Sequence, residues 1–179
     1  MKRIPTKLDG CFILEPTRFS DSRGYFYESY NASTFDTLHG SPVRFVQDNQ
    51  ALSNYGILRG LHFQTGDHAQ AKLVRVLQGR VLDVAVDLRP ESTTYLQHVA
   101  VELTGENHLQ LFIPRGFAHG YAVLEDQTVF FYKCDNYYCK EAEGGIHYLD
   151  PSLQIDWQVP ADRIMISDKD SHLPFLDQV

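Results

Sequence analysis

Two runs of β-forming residues, separated by only two positions, constrain the fold of this chain more than any other sequence feature. The first run, Lys72-Leu-Val-Arg-Val-Leu77, is followed by Gln78-Gly79, and the second extends from Arg80 to Leu88. Two such runs around a two-residue turn that contains glycine are typical of an antiparallel hairpin. We therefore predict a β-hairpin here and an antiparallel sheet around it.

Side-chain alternation in this hairpin predicts which residues share a face. If Leu77 pairs with Arg80 across the turn, Lys72 has Asp83 as a diagonal neighbour. The other residues on that face are Val74, Val76, Val81, Ala85 and Asp87. Taken alone, a lysine and an aspartate on a largely apolar face are most simply interpreted as an edge-strand or surface ion pair.

Short apolar runs with turn residues between them recur along the rest of the chain. They predict further strands at 11–15, 25–30, 44–50, 58–64, 99–103, 109–113, 120–124 and 129–133. One short helix around Phe35 is indicated by a cap at Asn31 or Ser33 and by a stop at Gly40 and Pro42. The 10 tyrosines and 11 phenylalanines favour strands, and 12 glycines and 8 prolines supply turns. About ten strands without crossover helices predict a mainly β fold, an antiparallel sandwich or barrel.

Length and charge limit the classes of function that need consideration. At 179 residues, with 43% hydrophobic residues and no internal repeat or linker, residues 1–179 are expected to form a single domain. A formal net charge of -7 disfavours binding to nucleic acid or to an anionic membrane surface. A local group of arginines and lysines can nevertheless hold one phosphorylated small molecule.

Cysteine usage and the N-terminus predict a cytoplasmic protein. The three cysteines, Cys11, Cys134 and Cys139, are an odd number and form no C-x-x-C pair, so reduced thiols are expected. Residues 1–10 are basic and polar without an apolar signal-peptide region, and no stretch is long enough to cross a membrane.

The segment Pro114-Arg-Gly-Phe-Ala-His119 places a histidine at the start of a strand after a Pro-x-Gly turn. This spacing resembles the second motif of cupin barrels, although His119 alone is more simply a hydrogen-bonded core histidine. Metal-binding cupins carry an earlier His-x-His, whereas this chain has Gln64 two residues after His62 and its next histidine only at His68. Because a catalytic metal needs about three protein ligands, the sequence disfavours metal catalysis.

Several longer motifs occur in a fixed order along essentially the whole chain. They are Asp21-Ser-Arg-Gly-Tyr-Phe26, Phe45-Val-Gln-Asp-Asn49, Leu58-Arg-Gly-Leu-His-Phe-Gln64, Gln70-Ala-Lys-Leu-Val-Arg75, Asp83-Val-Ala-Val-Asp-Leu-Arg89, Ile113-Pro-Arg-Gly-Phe-Ala-His-Gly120, Tyr132-Lys-Cys-Asp-Asn-Tyr-Tyr138, Asp150-Pro151, Ile155-Asp-Trp157 and Ser167-Asp-Lys-Asp170. Together they resemble the dTDP-4-dehydrorhamnose 3,5-epimerase family.

The resemblance implies an antiparallel double-stranded β-helix, a cupin-like jelly-roll barrel with a few short helices. It also implies an isomerase without metal or cofactor, usually a homodimer, that converts dTDP-4-dehydro-6-deoxy-D-glucose into dTDP-4-dehydro-L-rhamnose. The C4 ketone of that substrate acidifies the protons on C3 and C5, so each centre inverts through an enolate. Such chemistry requires a base, an acid and a group that stabilises the enolate oxygen.

By the same resemblance, His62 matches the base and Asp170 the carboxylate that orients it. Tyr132 matches the acid on the opposite face of the sugar. Lys72 matches the ammonium beside the C4 oxygen, and Asp83 would position that ammonium. Without the resemblance, each of these residues would more simply be read as part of the core or the surface.

Ligand binding is carried over from the family to ten further positions. They are Arg23, Phe26, Glu28, Gln47, Asn49, Arg59, His119, Tyr138, Glu143 and Lys169. Arg23, Arg59 and Lys169 supply positive charge for a diphosphate. Phe26 or Tyr138 would stack on or border the thymine and the sugar.

Regular alternation places Arg59 and His62 on opposite faces of one strand. For both side chains to reach the same site, the strand must contain an extra residue between them. We therefore predict a β-bulge at Gly60.

Three alternatives remain at this point. A C3-specific epimerase of another deoxysugar pathway needs the same base and enolate stabiliser, although Tyr132 favours the full reaction. A metal-dependent cupin oxygenase is disfavoured by the missing His-x-His. A non-catalytic sugar-binding cupin is disfavoured because His62, Asp170, Lys72 and Tyr132 are all present.

Overall fold

The computed structural model describes residues 1–178, which form thirteen strands and a few short helical segments. The strands are β1 (Lys2–Pro5), β2 (Phe12–Glu15), β3 (Arg18–Asp21), β4 (Gly24–Tyr27), β5 (Gln47–Ser53), β6 (Leu58–Gln64), β7 (Lys72–Gln78), β8 (Arg80–Asp87), β9 (His98–Thr104), β10 (Gln110–Ile113), β11 (Phe117–Val123), β12 (Thr128–Cys134) and β13 (Glu143–Gly145). The α-helices are α1 (Ala32–His39) and α2 (Asp168–Ser171), and 3-10 turns span Gly66–His68, Lys140–Ala142, Ala161–Arg163 and Leu176–Gln178.

Two antiparallel sheets build the body of the structure. The six-stranded sheet has the order β1-β2-β10-β7-β12-β5, and the five-stranded sheet has the order β13-β6-β11-β8-β9. Strands β3 and β4 form a separate two-stranded ribbon. The mainly β, antiparallel, double-sheet fold predicted from the sequence is thus confirmed.

The main hydrophobic core lies between the two sheets. Val74 of β7 and Val81 and Ala85 of β8 belong to it and are fully buried. Each buried valine stabilises the fold by roughly 1.5–3 kcal/mol relative to an exposed one. A second cluster, around Trp157, covers the outer face of the five-stranded sheet with the C-terminal loops.

The predicted hairpin of β7 and β8 is wrong. Strand β7 pairs with β10 and β12, whereas β8 pairs with β9 and β11, so the Gln78-Gly79 turn carries the chain from one sheet to the other. Gly79 has a φ of +80°, and a β-carbon there would collide with Thr128. Lys72 and Asp83 therefore lie on facing sheets and are not diagonal neighbours in one sheet. The predicted alternation of side chains is correct. Lys72 and Asp83 each lie an even number of positions from valines of their own strand that belong to the core between the sheets.

Helix α1 agrees closely with its prediction. The Asn31 side chain caps it by accepting a hydrogen bond of 3.1 Å from the backbone N–H of Thr34. Gly40 ends the helix with a φ of +97°, a value that disfavours residues with a β-carbon. The buried Phe35 packs on Phe12 and Phe112, on the outer face of the six-stranded sheet.

The β3–β4 ribbon, residues 18–27 (the arm), lies outside both large sheets, and all its residues except Tyr27 are exposed. It rests on His108, whose ring lies 4.9 Å from the ring of Tyr25 and 4.8 Å from that of Tyr27. Phe19 and Phe26 on this arm are 65% and 70% exposed. Two large apolar side chains so close together on a surface are typical of a contact with another molecule.

Within residues 1–178, no helix is both long and apolar enough to span a bilayer.

Candidate active site

A cavity of about 620 Å³ opens between the two sheets. Its walls include Arg59 and His62 from β6, His119 from β11, and Lys72 and Tyr132 from the facing sheet. A second cavity of about 300 Å³ adjoins it and shares Asn49, His62, Lys72 and Tyr132 as lining residues. Of the predicted reactive residues, His62, Lys72 and Tyr132 thus lie where the two cavities meet, Asp170 lines only the larger cavity, and Asp83 lines neither.

His62 and Asp170 form a hydrogen-bonded pair, with 2.7 Å between His62 Nε2 and Asp170 Oδ1. Asp170 is 3% exposed and belongs to α2, which Ser167 caps by accepting the Asp170 backbone N–H at 3.0 Å. The other carboxylate oxygen accepts the backbone N–H of Gly60 at 3.3 Å. Burial alone would raise the pKa of Asp170. The hydrogen bond and charge of His62, together with the backbone N–H of Gly60, have a larger opposite effect, so the pKa lies below the ordinary aspartate value of 3.8. The carboxylate is therefore ionised and fixes the imidazole ring.

The bulge predicted at Gly60 is present. On β11, His119 and Tyr121 are two residues apart, and they face His62 and Arg59, which are three residues apart on β6. The extra residue turns both Arg59 and His62 toward the cavity. Gly60 has a φ of +119°, and a β-carbon there would lie 2.6 Å from the Cα of Gly120. Only glycine fits at this point.

Lys72 and Tyr132 face His62 from the other sheet. The Lys72 Nζ lies 6.0 Å from the centroid of the Tyr132 ring. Burial lowers the pKa of Lys72, while the negative charges of Asp83 and Glu143 oppose that change. Burial raises the pKa of Tyr132, so the phenol stays protonated at neutral pH. The His62 imidazole, which can accept a proton, therefore faces the protonated phenol of Tyr132 across the cavity.

Asp83 does not contact Lys72 as the sequence analysis predicted. Its Oδ2 lies 2.9 Å from His119 Nε2, and the two residues are 0% and 6% exposed. Its Oδ1 is buried and has no hydrogen-bond partner within residues 1–178. The diagonal contact predicted from the hairpin is wrong because Lys72 and Asp83 lie in different sheets. Asp83 instead holds His119, and its negative charge favours a higher pKa for Lys72.

Hydrogen bonds connect the residues predicted to bind the nucleotide. Gln47 donates to Asn49 at 3.1 Å and accepts the backbone N–H of Tyr138 at 3.3 Å. The Tyr138 hydroxyl donates to Glu143 Oε2 at 2.9 Å, and Glu143 also pairs with Lys169. All five line one of the two cavities.

Three predicted binding residues lie away from both cavities. Arg23 and Phe26 are on the exposed arm, where Arg23 pairs with Asp21 at 2.6 Å. Glu28 accepts a hydrogen bond of 3.1 Å from Asn31, at the start of α1. Within one chain these three residues do not join the site.

The sequence analysis did not single out every residue of the site. Tyr121 lines the larger cavity, and Gln64, Gln70 and Cys134 line the smaller one. Tyr121 could have been found by alternation from His119, two residues earlier on the same strand. Gln64 accepts the backbone N–H of Cys139 at 2.8 Å, a long-range contact for which the sequence carries no signal.

Within the described residues, no three His, Cys, Asp or Glu side chains come together in a way that would hold a metal ion. The groups that converge on the cavity are those of acid–base chemistry: a carboxylate-bound imidazole on one sheet, and an ammonium and a phenol on the other. Fold and site thus define an enzyme built from two antiparallel sheets, with acid and base groups placed for proton transfer.

Comparison with known proteins narrows this class to one family. The sequence pattern of dTDP-4-dehydrorhamnose 3,5-epimerase matches residues 5–178. The chain belongs to the dTDP-4-dehydrorhamnose 3,5-epimerase family. The Salmonella typhimurium enzyme of that name is 49% identical over 178 residues, 98% of this chain and 95% of the relative.

Two solved structures confirm the cupin-like jelly roll. The dTDP-4-dehydrorhamnose 3,5-epimerase of Elizabethkingia anophelis has a TM-score of 0.96 and 53% identity, and the match covers 99% of this chain and 97% of that one. The Legionella pneumophila dTDP-6-deoxy-D-glucose-3,5-epimerase, solved with dTDP-4-keto-L-rhamnose, has a TM-score of 0.95 and 48% identity, with 99% and 94% covered.

Proposed function

We propose that this chain is an isomerase, a dTDP-4-dehydrorhamnose 3,5-epimerase of dTDP-L-rhamnose biosynthesis. It inverts C3 and C5 of dTDP-4-dehydro-6-deoxy-D-glucose and releases dTDP-4-dehydro-L-rhamnose. Relatives of that name are 49% and 53% identical over almost the whole chain. The observation that carries the proposal is the Asp170-bound His62 on one wall of the cavity with Lys72 and Tyr132 on the other.

His62 removes the proton next to the C4 ketone. With Nε2–H donated to Asp170, the other ring nitrogen carries the lone pair that accepts this proton. The Asp170 carboxylate then stabilises the imidazolium that forms, as an aspartate does in hydrolase triads. One imidazole serves both C3 and C5 when the sugar ring changes its pose between the two steps.

Lys72 stabilises the enolate. Removal of the proton moves negative charge onto the C4 oxygen, and an ammonium group at that oxygen interacts more strongly with the enolate than with the ketone. The contact therefore lowers the barrier rather than merely improving binding. Asp83, held by His119, and Glu143 add negative charge that favours the ammonium form.

Tyr132 returns a proton to the opposite face of the carbon. Inversion requires that the acid and the base lie on different sides of the sugar, and β12 and β6 belong to facing sheets. The buried phenol holds its proton until the more basic enolate carbon takes it.

Binding of the nucleotide is assigned to the polar groups around the two cavities. Arg59 and Lys169 supply positive charge for the diphosphate, and the exposed ring of Tyr138 borders the thymine. The Legionella pneumophila relative solved with dTDP-4-keto-L-rhamnose supports this class of ligand.

The active form is proposed to be a homodimer in which each arm completes the partner's cavity. This assignment would bring Arg23, Phe26 and Glu28 to a site that they do not reach in their own chain, and it would cover the exposed Phe19 and Phe26.

Mixing two inactive variants tests whether the arm of one subunit completes the cavity of the other. We expect Arg23→Ala and His62→Ala homodimers each to have little activity. Subunit exchange should restore about a quarter of wild-type activity, because half of the dimers then carry one intact site. Activity that stays at the level of the separate variants after verified exchange would contradict this arrangement.

We propose a cytoplasmic location because the three cysteines form no disulfide bonds within the described residues. Cys11, Cys134 and Cys139 are free thiols, and Cys11 and Cys134 are buried. Free thiols are typical of a reducing compartment.

Proton NMR of dTDP-4-dehydro-6-deoxy-D-glucose in deuterium oxide tests the proposed activity. We expect the purified protein to replace the protons on both C3 and C5 with deuterium and to form the L-rhamno product. Exchange at C3 alone would establish the C3-specific alternative. Exchange at neither carbon would remove the epimerase assignment.

A further inference from the structure

Tyr121 is a buried tyrosine of the larger cavity that the proposed mechanism does not use. It is 5% exposed, and its ring stacks on Phe130 with 4.0 Å between centroids and 19° between planes. It lies between His119 and the end of β11, and its Cα faces that of Arg59 on β6. The stacking holds the ring in place at the cavity wall.

The hydroxyl of Tyr121 has no hydrogen-bond partner within residues 1–178, although the side chain is almost wholly buried and lines the cavity. Buried hydroxyl groups in proteins are almost always hydrogen-bonded. Because Tyr121 lines the cavity and its hydroxyl has no partner in the described residues, that hydroxyl is available to a molecule bound in the cavity.

Charges around the ring indicate which part of a ligand it meets. Burial raises the pKa of Tyr121, while Arg59 opposes that rise, and Tyr132 and Asp83 add to it. The hydroxyl is thus a protonated donor close to Arg59, a guanidinium that lines the cavity and also donates to Ser53 at 3.3 Å. A donor and a cation side by side form a site for an oxyanion.

We propose that the Tyr121 hydroxyl donates a hydrogen bond to a phosphate oxygen of the nucleotide sugar that Arg59 holds. The proposal rests on the proposed function, because it assumes a diphosphate ligand in this cavity. It makes Tyr121 a binding residue, whereas Tyr132, on the facing sheet, is the acid.

The variant Tyr121→Phe removes the hydroxyl and keeps the stacked ring. We expect the Kd for dTDP, measured by calorimetry, and the KM for the sugar nucleotide to rise about tenfold, the effect of one hydrogen bond to a charged acceptor. The turnover number kcat should stay within about twofold, since the contact exists in ground state and transition state alike. Tyr95→Phe, at a half-exposed tyrosine outside both cavities, is the matched control and should leave Kd and KM unchanged.

Thermal unfolding separates binding from a structural role. Without ligand, Tyr121→Phe should melt no lower than the wild type, because the hydroxyl has no partner in the protein. With saturating dTDP, its gain in Tm should be smaller than that of the wild type. A lower Tm without ligand, or an unchanged Kd for dTDP, would overturn the proposal.

The wild-type protein distinguishes failure of this inference from failure of the proposed function. If the wild type binds dTDP and epimerises the substrate while Tyr121→Phe behaves identically, only the role of Tyr121 is wrong. If the wild type itself neither binds dTDP nor exchanges protons, the proposed function is wrong, and the role of Tyr121 falls with it.

Discussion

Asp170 holds His62 through a hydrogen bond of 2.7 Å that joins residues 108 positions apart in sequence. The carboxylate comes from the short α2, whose N-cap Ser167 fixes its backbone, and the imidazole comes from the bulged strand β6. Both supports belong to this chain, so the ring is oriented without any bound ligand. This is the arrangement that an enzyme needs when proton abstraction from carbon is the difficult step.

Replacement of His62 by alanine should abolish proton exchange at both C3 and C5. We expect kcat to fall at least about a thousandfold, because no other base in the cavity has the same position. Deuterium incorporation followed by NMR measures the loss directly, and circular dichroism should report an unchanged fold. His68→Ala is the matched control, because His68 lies in a 3-10 turn outside both cavities. Near-normal turnover by His62→Ala would show that the base has been misassigned.

Replacement of Asp170 by asparagine should lower kcat by a factor of about a hundred or more while KM changes little. The amide cannot stabilise the imidazolium, and it favours the wrong tautomer of His62. The substitution also alters the dependence of stability on pH. Because the pKa of Asp170 is held below 3.8 in the folded state, its ionised form stabilises the fold above that value, and this contribution is lost as the pH falls through the lowered pKa.

Urea unfolding at pH 7 and at pH 3 measures this effect. The difference in unfolding free energy between the wild type and Asp170→Asn should be larger at pH 7 than at pH 3. Equal differences at the two pH values would indicate that the carboxylate is not specially stabilised in the folded protein.

The variant Tyr132→Phe should still allow His62 to remove a proton from the sugar but should prevent inversion of the configuration at C5. His62 remains in place, so hydrogen exchange with solvent should persist at one carbon, while inversion at C5 is lost because the acid on the opposite face is missing. The ratio of C3-inverted to doubly inverted product, read by NMR, is the measurement. An unchanged ratio would exclude Tyr132 as the acid.

Sequence alternation predicted side-chain direction well and strand pairing poorly. Lys72 and Asp83 each share a face with the valines of their own strand, as predicted, yet β7 and β8 lie in different sheets. Alternation is a property of one strand, whereas the partner of a strand is chosen by the packing of the whole chain. A glycine turn of two residues serves a hairpin and a crossing between sheets equally well, so the sequence did not distinguish them.

The bulge at Gly60 was predictable because two site residues three positions apart cannot share a face of a regular strand. The hydrogen bond between Asp83 and His119 could not be predicted, because it depends on the pairing of β8 with β11. Asp170 could be assigned only through the family resemblance, since nothing near it in the sequence indicates His62 as its partner. Of the arm's two strands, only β4 was predicted from the sequence. Strand β3 was missed because it consists of four exposed residues with no apolar pattern.

Asp87 provides a test of the fold that is independent of catalysis. Its carboxylate is fully buried and accepts hydrogen bonds from Arg89 at 2.8 Å and from the hydroxyls of Ser92 and Thr94, each at 2.6 Å. Burial raises the pKa of Asp87, but these donors outweigh it and hold the pKa far below the ordinary value of 3.8. The ionised carboxylate thus ties the loop after β8 to the end of the sheet.

The variant Asp87→Ala should lower the unfolding free energy by about 3–5 kcal/mol at pH 7, because the Arg89 guanidinium and the Ser92 and Thr94 hydroxyls lose their shared charged acceptor. Urea denaturation measures this loss, and kcat of the remaining folded protein should be unchanged because Asp87 lines neither cavity. The loss should shrink as the pH falls toward the lowered pKa, where the wild-type carboxylate itself takes up a proton. Asp21→Ala is the control, since its ion pair with Arg23 lies in solvent, and it should leave stability unchanged. Equal stability of the Asp87 and Asp21 variants would mean that the buried cluster does not hold the loop.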